Sequence, residues 1–496
     1  MDLPNILVIM SDQLKATASH LYGNPFCQTP HLARLAQKGV LFRYAFTPHP
    51  LCVPARVSLW TGQFPHSHGS RRNQTFMPPG TKHAFHIWKE QGFHLGLIGK
   101  NHCFQTAEDL SLFDTWCEIS HGGLPANQEP RGMAWFRPRH KIEKAHSVRR
   151  HMPQQSPRFS YAFTDFELED YSSGLIAGQT VRFLEKHRNE PFALWVSFPD
   201  PHEPYEVPRR YAELFPPEKI VLPPWKENEF ANAPERNQVL YRILGMEDDP
   251  MEDIYGVLAA YYGMVRFVDD GVGQILSALE ELGLDKRTIV VFCADHGDFA
   301  GEHGMTCKGG VFYDALTRIP LIISWPGQVP QGVVDESLVN LVDVVPTLLH
   351  LQGLPIPREM QGQPLPTITP APPRMVTFSE YGAGGPPFTL ADLRALPEPF
   401  GRRALMHSLQ WREAEGRRKM VRTHHWKYVH DPMGDKDELY NLEKDPWELE
   451  NLADDPAYRD VIGEMALLLA DWSIMTEDAK PVPLPSEEHY AITKRG

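Results

Sequence analysis

Two pairs of residues in this chain carry groups that suit a metal ion. Asp12 and Gln13 follow the apolar run "NILVIM", and Asp295 and His296 follow the apolar stretch Thr288–Cys293. Carboxylate and amide oxygens favour Ca2+, Mg2+ or Mn2+, whereas imidazole shifts the preference towards transition metals. Lys100 and His102 stand in "GKNH", and Lys308 stands in the glycine-punctuated "GEHGMTCKGG". Two lysines converging on a metal site would bind the oxygens of a tetrahedral anion, where negative charge develops during transfer. His202, in "PDPHEPY", is held between prolines and has the chemistry to give a proton to a leaving oxygen. Cys52, in "PLCVPARVSLWTG", reads as a buried small hydrophobe, a disulfide partner or a nucleophile. Taken singly, these residues also read as caps, surface charges or hydrogen-bonded loop histidines.

What sets them apart is where the flanking elements would put them. Asn5–Met10 and Thr288–Cys293 are continuous apolar runs, the pattern of strands buried on both faces. Leu32, Leu35 and Ala36 have helical spacing, Gly39 can end that helix, and Val40–Phe46 can return as a strand. "FHIWKEQGFHLGLIGK", "QTVRFLEKHRNEPFALWVSFPDPHEP" and "GQILSALEELGLDKRTIVVFCADHGD" repeat that helix–turn–strand rhythm. The alternation predicts an α/β fold, a large mostly parallel or mixed sheet flanked by helices. Such sheets bind ligands beyond the carboxyl ends of their strands. Asp12, Lys100, His202, Asp295 and His296 all follow predicted strands, so they are expected along one edge.

The stretch after Cys52 reads as amphipathic. Residues 120–165 and 203–250 read as irregular insertions, either the rim of a substrate site or plain solvated loop. The proline-rich "PIPREMQGQPLPTITPAPPRM" reads as a linker, either free or packed against the main domain. The expected division is a catalytic α/β domain over 1–370 and a smaller α+β domain over 371–496, with a small antiparallel sheet and a helix near Ala457–Trp472. His66, His68, Arg71 and Arg72 are expected either to line an anionic carbohydrate subsite or to lie on the surface.

The chain has 496 residues, 42% of them hydrophobic, and a formal net charge of -14. That size supports a substantial core, and that charge disfavours broad nucleic-acid binding. Six cysteines without a CxxC pair do not make a disulfide scaffold. "MDLPNILVIMSDQ" lacks the basic start of a secretory signal, and no apolar run is long enough to span a membrane. The expectation is a soluble cytoplasmic protein, periplasmic if a leader has been removed, with no membrane or nucleic-acid partner. "NQT" at Asn73–Thr75 is read as a chance glycosylation sequon.

In their order along the chain, the motifs resemble the type I sulfatases of the alkaline phosphatase superfamily. "CVPAR" matches C-x-P-x-R, "LWTG" continues it, "GKNH" matches G-K-x-H, and "PHEP" matches the histidine loop. "NILVIMSDQ" and "ADHGDFAGEHG" with Lys308 match the two metal segments. "WKYV" and "ELYNLEKDPWELENLADDP" are similar to the family's C-terminal region. The resemblance implies that a formylglycine-generating or sulfatase-maturating enzyme converts Cys52 to formylglycine. One hydroxyl of the hydrated aldehyde attacks sulfur, the alcohol leaves, and the other hydroxyl drives release of sulfate.

Carried over, Asp12, Gln13, Asp295, His296 and modified Cys52 would hold one divalent cation, Ca2+ first, with Mn2+ or Mg2+ as alternatives. Arg56 would position the formylglycine, and Lys100 and Lys308 would grip the sulfate oxygens. His102 would assist elimination, and His202 would contact sulfate or the leaving oxygen. Gln13 and His296 depart from the usual Asp and Asn, which brings Mn2+ forward. The implied activity is a sulfuric ester hydrolase acting on a sulfated small molecule or saccharide, with homo-oligomerisation an open option. Two alternatives stand: a phosphonate monoester or phosphodiester hydrolase of the same superfamily, and a catalytically degenerate binding protein on this scaffold.

Overall fold

Residues 5–12 are buried at every position, so this strand must be covered on both faces. In the computed structural model, which describes residues 3–477 except 126–127, 153–159, 227, 397 and 399, it is β1 (Asn5–Asp12). There follow β2 (Gly39–Phe46), β3 (His94–Gly99), β4 (Thr115–Glu118), β5 (Tyr161–Thr164), β6 (Phe192–Pro201), β7 (Tyr205–Pro208) and β8 (Thr288–Ala294). Next come β9 (Phe299–Ala300), β10 (Thr306–Cys307), β11 (Arg318–Ile319), β12 (Leu321–Ser324) and β13 (Val333–Asn340).

The main sheet runs β11-β2-β12-β8-β1-β6-β3-β4, with β13 also paired to β2. From β8 through β4 all neighbours are parallel. β12 is antiparallel to both β8 and β2, so the sheet is mixed. Successive side chains of β6 show the two layers, because neighbours on a strand point to opposite faces. Trp195 meets Trp60 and the guanidinium of Arg56. Leu194 and Phe198 instead face the helices Ser172–His187 and Met251–Glu281, close to Phe183 and Gly271 respectively.

A second sheet is fully antiparallel: β14 (Thr377–Tyr381), β15 (Arg418–Arg422), β16 (Trp426–His430) and β17 (Glu438–Asn441). Val421 and Tyr428 share one face with Met465, Leu469 and Trp472 of the helix Arg459–Met475, in a cluster that includes Phe64 and Val342. Met420 and Val429 share the other face with Tyr381, Leu51 and Phe312. Leu51 is the residue before Cys52, so this small sheet packs directly behind the signature segment. Residues 478–496 of the expected second domain lie outside the described residues.

Two expectations change and one alternative is decided. The stretch Cys52–Thr61 is a helix buried at every residue, not an amphipathic one. Of the two readings of the proline-rich segment, the packed one holds: Gln361 and Gly362 both donate backbone N–H to Gly62 O, and Leu365 is fully buried. The two irregular insertions contain regular structure. Arg139–Arg150 is a helix, and β5 pairs in parallel with β7, so the insertions fold against each other. Residues 126–127, 153–159 and 227 of these insertions lie outside the described residues. Among the described residues, no helix is long and apolar enough to cross a membrane.

Candidate active site

The parallel register brings the strand ends together. Ser11 pairs with Ala294, so Asp12 and Asp295 leave the sheet side by side. Gly99 pairs with Ser197 at the end of β3, and Lys100 donates its N–H to Ser197 O at 2.8 Å. Gly99 has φ +110°, and a Cβ there would lie 2.0 Å from Ser197 O, so no other residue fits this turn. Gln13 and His102 also take positive φ, 64° and 45°, which for non-glycine residues marks strain held by the surroundings.

Cys52 is the first residue of the helix Cys52–Thr61 and is buried. Its Sγ lies 3.1 Å from His296 Nε2, 3.6 Å from Asp12 Oδ1 and 3.9 Å from Lys100 Nζ. Asn73 accepts the free N–H of Val53 at 3.1 Å, satisfying one of the helix's unpaired donors. Glu413, beside the small sheet, accepts from Asn73 Nδ2 at 2.8 Å and fixes which way that amide points.

Arg56 is fully buried beneath the cluster. It donates from Nε to Asp295 Oδ2 at 2.9 Å and from Nη2 to Asp12 Oδ2 at 3.0 Å. From Nη1 it donates to Ser197 Oγ at 2.9 Å and to the carbonyls of Lys100 at 3.0 Å and Asn101 at 3.3 Å. Lys100 Nζ also pairs with Asp12 Oδ2. Lys308 Nζ donates to Gln13 Oε1, while Gln13 Nε2 donates to Asp298 Oδ2 at 2.8 Å and Glu203 Oε2 at 3.2 Å.

Charge balance sets the protonation states. Burial pushes the Asp12 carboxyl up, but Lys100, Arg56 and Lys308 outweigh it and hold it well below the usual range. Burial also raises the Cys52 thiol, as does Asp12, yet Lys100, Lys308 and His296 bring it below its ordinary value. Asp298 is pushed up to about 7 by burial, with Glu203 adding to the effect. Burial, with Lys100 and Arg56, drives His102 well below the usual imidazole range. Burial, with Lys308 and Lys100, does the same to His202, so both rings are neutral near pH 7.

A buried donor set for a divalent ion is present. One ligand atom from each of Asp12, Cys52, Asp295 and His296 lies within 4.8 Å of the others. His296 donates Nδ1–H to Gly297 O at 2.9 Å, which turns Nε2 towards Cys52 as the nitrogen able to ligate an ion. A backbone carbonyl holding the far nitrogen in this way is the usual second layer of a metal histidine. Two carboxylates, one imidazole and position 52 therefore fit the ion that the motifs imply.

All ten residues expected at the site gather around these strand ends. His202 donates from Nδ1 to Glu203 O at 2.6 Å and stacks on His121, with ring centroids 4.4 Å apart. His121, Asn73, Glu203, Asp298 and Glu413 were not anticipated, although Glu203 stands in "PHEP" and Asp298 in "ADHGDFAGEHG". Asn73 has a structural part, whereas only its sequon is visible in the sequence. His66 and Arg71 do not form an open subsite or an exposed patch. His66 Nδ1 is 2.8 Å and Arg71 Nη2 is 3.5 Å from the buried carboxylate of Glu380, and His68 Nε2 is 2.8 Å from Ser58 Oγ. Arg72 is buried as well. All six cysteines are buried and free.

The model of the sulfatase family matches residues 4–354. This chain belongs to the sulfatase family. It is 25% identical over 485 residues to an arylsulfatase of Clostridium perfringens, covering 94% of this chain and 93% of that protein. It is 28% identical over 497 residues to a delta 4,5-hexuronate-2-O-sulfatase of Bacteroides thetaiotaomicron, covering 96% and 90%. The phosphonate monoester hydrolase of Agrobacterium radiobacter has the same fold, with a TM-score of 0.75, 24% identity and 96% of each chain covered. Sulfatases generally use a metal ion and a formylglycine, and in this sulfatase Cys52 stands within the possible metal cluster.

Proposed function

We propose that this sulfatase-family hydrolase releases inorganic sulfate from a sulfated small molecule or saccharide, using formylglycine made from Cys52 by a maturating enzyme. The observation that carries the reading is Cys52 Sγ at the head of a buried helix, between His296 and Lys100 and within reach of Asp12. Asp12, Gln13, Asp295, His296 and position 52 would hold one divalent cation, Ca2+ or alternatively Mn2+ or Mg2+, which when bound supplies Lewis-acid polarisation of the sulfate group. The formylglycine hydrate supplies two hydroxyls on one carbon, one to attack and one to drive release.

The chain's own residues then do the following. Lys100 and Lys308, released from Asp12 and Gln13, bind the non-bridging oxygens of the sulfate and stabilise the charge that builds there. Arg56 holds Asp12 and Asp295 in place through its five hydrogen bonds. His102 is neutral and accepts a proton during release of sulfate. His202 has its Nδ1 proton committed to Glu203 O, which leaves Nε2 as the acceptor nitrogen of the ring. Protonation of that nitrogen, favoured by the arriving anion, turns His202 into the acid for the leaving oxygen.

Phosphonate monoester or phosphodiester hydrolysis is the second reading, favoured by His296 standing where many members of the family have Asn. The decisive experiment co-expresses the chain with a maturating enzyme and compares an aryl sulfate with an aryl phosphonate monoester. A kcat/KM higher on the sulfate, an aldehyde mass at residue 52 and loss of turnover in a folded Cys52→Ala are expected. Preference for the phosphonate selects the second reading. Turnover without any aldehyde at residue 52 refutes the mechanism.

A further inference from the structure

His83 and His86 lie at the start of the helix Ala84–Glu90, and Asp109 lies in the first turn of the helix Ala107–Leu112. One donor atom from each of the three lies within 4.8 Å of the other two. His83 is 1% exposed and Asp109 is 4% exposed. The Nδ1 atoms of both histidines are buried and have no hydrogen-bond partner. His83 Nε2 faces Asp109 Oδ1 at 3.4 Å, longer than the ~2.9 Å of a good hydrogen bond. Three polar side chains therefore converge with one long hydrogen bond between them and two ring nitrogens left unpaired.

The protonation states suit a cation. Burial lowers His83 to about 4, so its ring is neutral at pH 7. Burial raises Asp109, but hydrogen bonds from His83 and Thr106 bring it below its ordinary value, so it is ionised. Thr106 Oγ1 donates to Asp109 Oδ2 at 2.7 Å and aims the carboxylate, as outer partners do in metal sites. Phe85 and Phe104 pack against His83 and form an apolar shell, with ring centroids 6.0 and 5.0 Å away. Two imidazoles and a carboxylate are a common zinc set, with bonds of about 2.0–2.2 Å and a water as fourth ligand. Tetrahedral bonds of that length put donor atoms about 3.3–3.5 Å apart, so small side-chain rotations close the set.

We propose that His83, His86 and Asp109 form a second metal site, separate from the cluster at Cys52, which takes a divalent transition ion such as zinc. The two histidines precede β3 and the aspartate follows it. The ion would tie together the segments that lead into and out of Lys100 and His102, and so hold that turn. This inference does not depend on the proposed reaction.

The test uses the full chain, stripped with a chelator, reloaded with Zn2+ alone and passed through a desalting column. Bound zinc per chain is measured by elemental mass spectrometry for the parent, His86→Ala and Asp109→Asn. His86 is only partly buried, so its replacement spares the fold, which circular dichroism verifies. Each variant is expected to hold one zinc ion fewer than the parent. The parent loaded with Co2+ is expected to show tetrahedral absorption bands that both variants lose in part. Zinc content equal to the parent's in either folded variant overturns the proposal.

Discussion

Arg56 offers the sharpest test of how the site is held together. Replacing it with Met removes a guanidinium of similar length and leaves five acceptors without their donor. Asp12 keeps Lys100, and Asp295 keeps the backbone N–H groups of Gln13 at 3.0 Å and His296 at 2.9 Å. The carboxylates thus retain partial compensation, whereas breaking a buried ion pair typically costs about 3–5 kcal/mol. Ser197 Oγ and the carbonyls of Lys100 and Asn101 add about 1–3 kcal/mol for each that stays dry and unpaired. A loss of at least ~4 kcal/mol follows, roughly a thousandfold in the unfolding equilibrium. Arg56→Lys keeps the charge but has one nitrogen, which cannot reach both carboxylates and all three neutral acceptors, so it should lose about half as much. Equilibrium urea denaturation followed by circular dichroism reads both variants. An Arg56→Met protein within ~1 kcal/mol of the parent, or an Arg56→Lys protein equal to it, would refute the view that this residue organises the strand ends.

Other positions give independent checks. Gly99→Ala puts a methyl 2.0 Å from Ser197 O at a φ of +110°, so stability should fall by about 2–5 kcal/mol, the sum of crowding and left-handed strain. Turnover should fall with it because Lys100 follows directly, and a variant with parental melting temperature and kcat would contradict this. Glu380 is buried, which raises its pKa, but His66 and Arg71 outweigh burial and hold it well below the ordinary value of 4.5. Its stabilisation is therefore complete above pH ~4.5 and is lost as the pH falls from there towards the folded-state pKa. Glu380→Gln should be less stable than the parent by about 3–5 kcal/mol at pH 7, with the gap narrowing below pH ~4.5, and thermal melts from pH 7 to 3 that keep it constant would count against the ion pair.

Local elements and the chemical inventory were legible from the residues alone. β1 and β8 were legible because a strand covered on both faces is apolar at every position, and the helices before β2, β3, β6 and β8 because their spacing and closing turns are local. The gathering of ten candidate residues was legible because each follows a strand end or lies in a fixed motif. Partner choice was not legible. β12 enters antiparallel between β2 and β8, a pairing across distant parts of the chain that no periodicity encodes. The Cys52 helix is buried all round because the small sheet and the docked proline-rich segment close over it, and its own residues do not specify those neighbours. His66 and Arg71 carry the charge of surface or anion-binding residues, yet Glu380, more than 300 positions away, takes both. Asn73, Glu413 and His121 reach the site only through tertiary contacts. Short-range rules set which residues can form a strand end or a turn, whereas burial in the folded chain decides which distant groups must neutralise one another there.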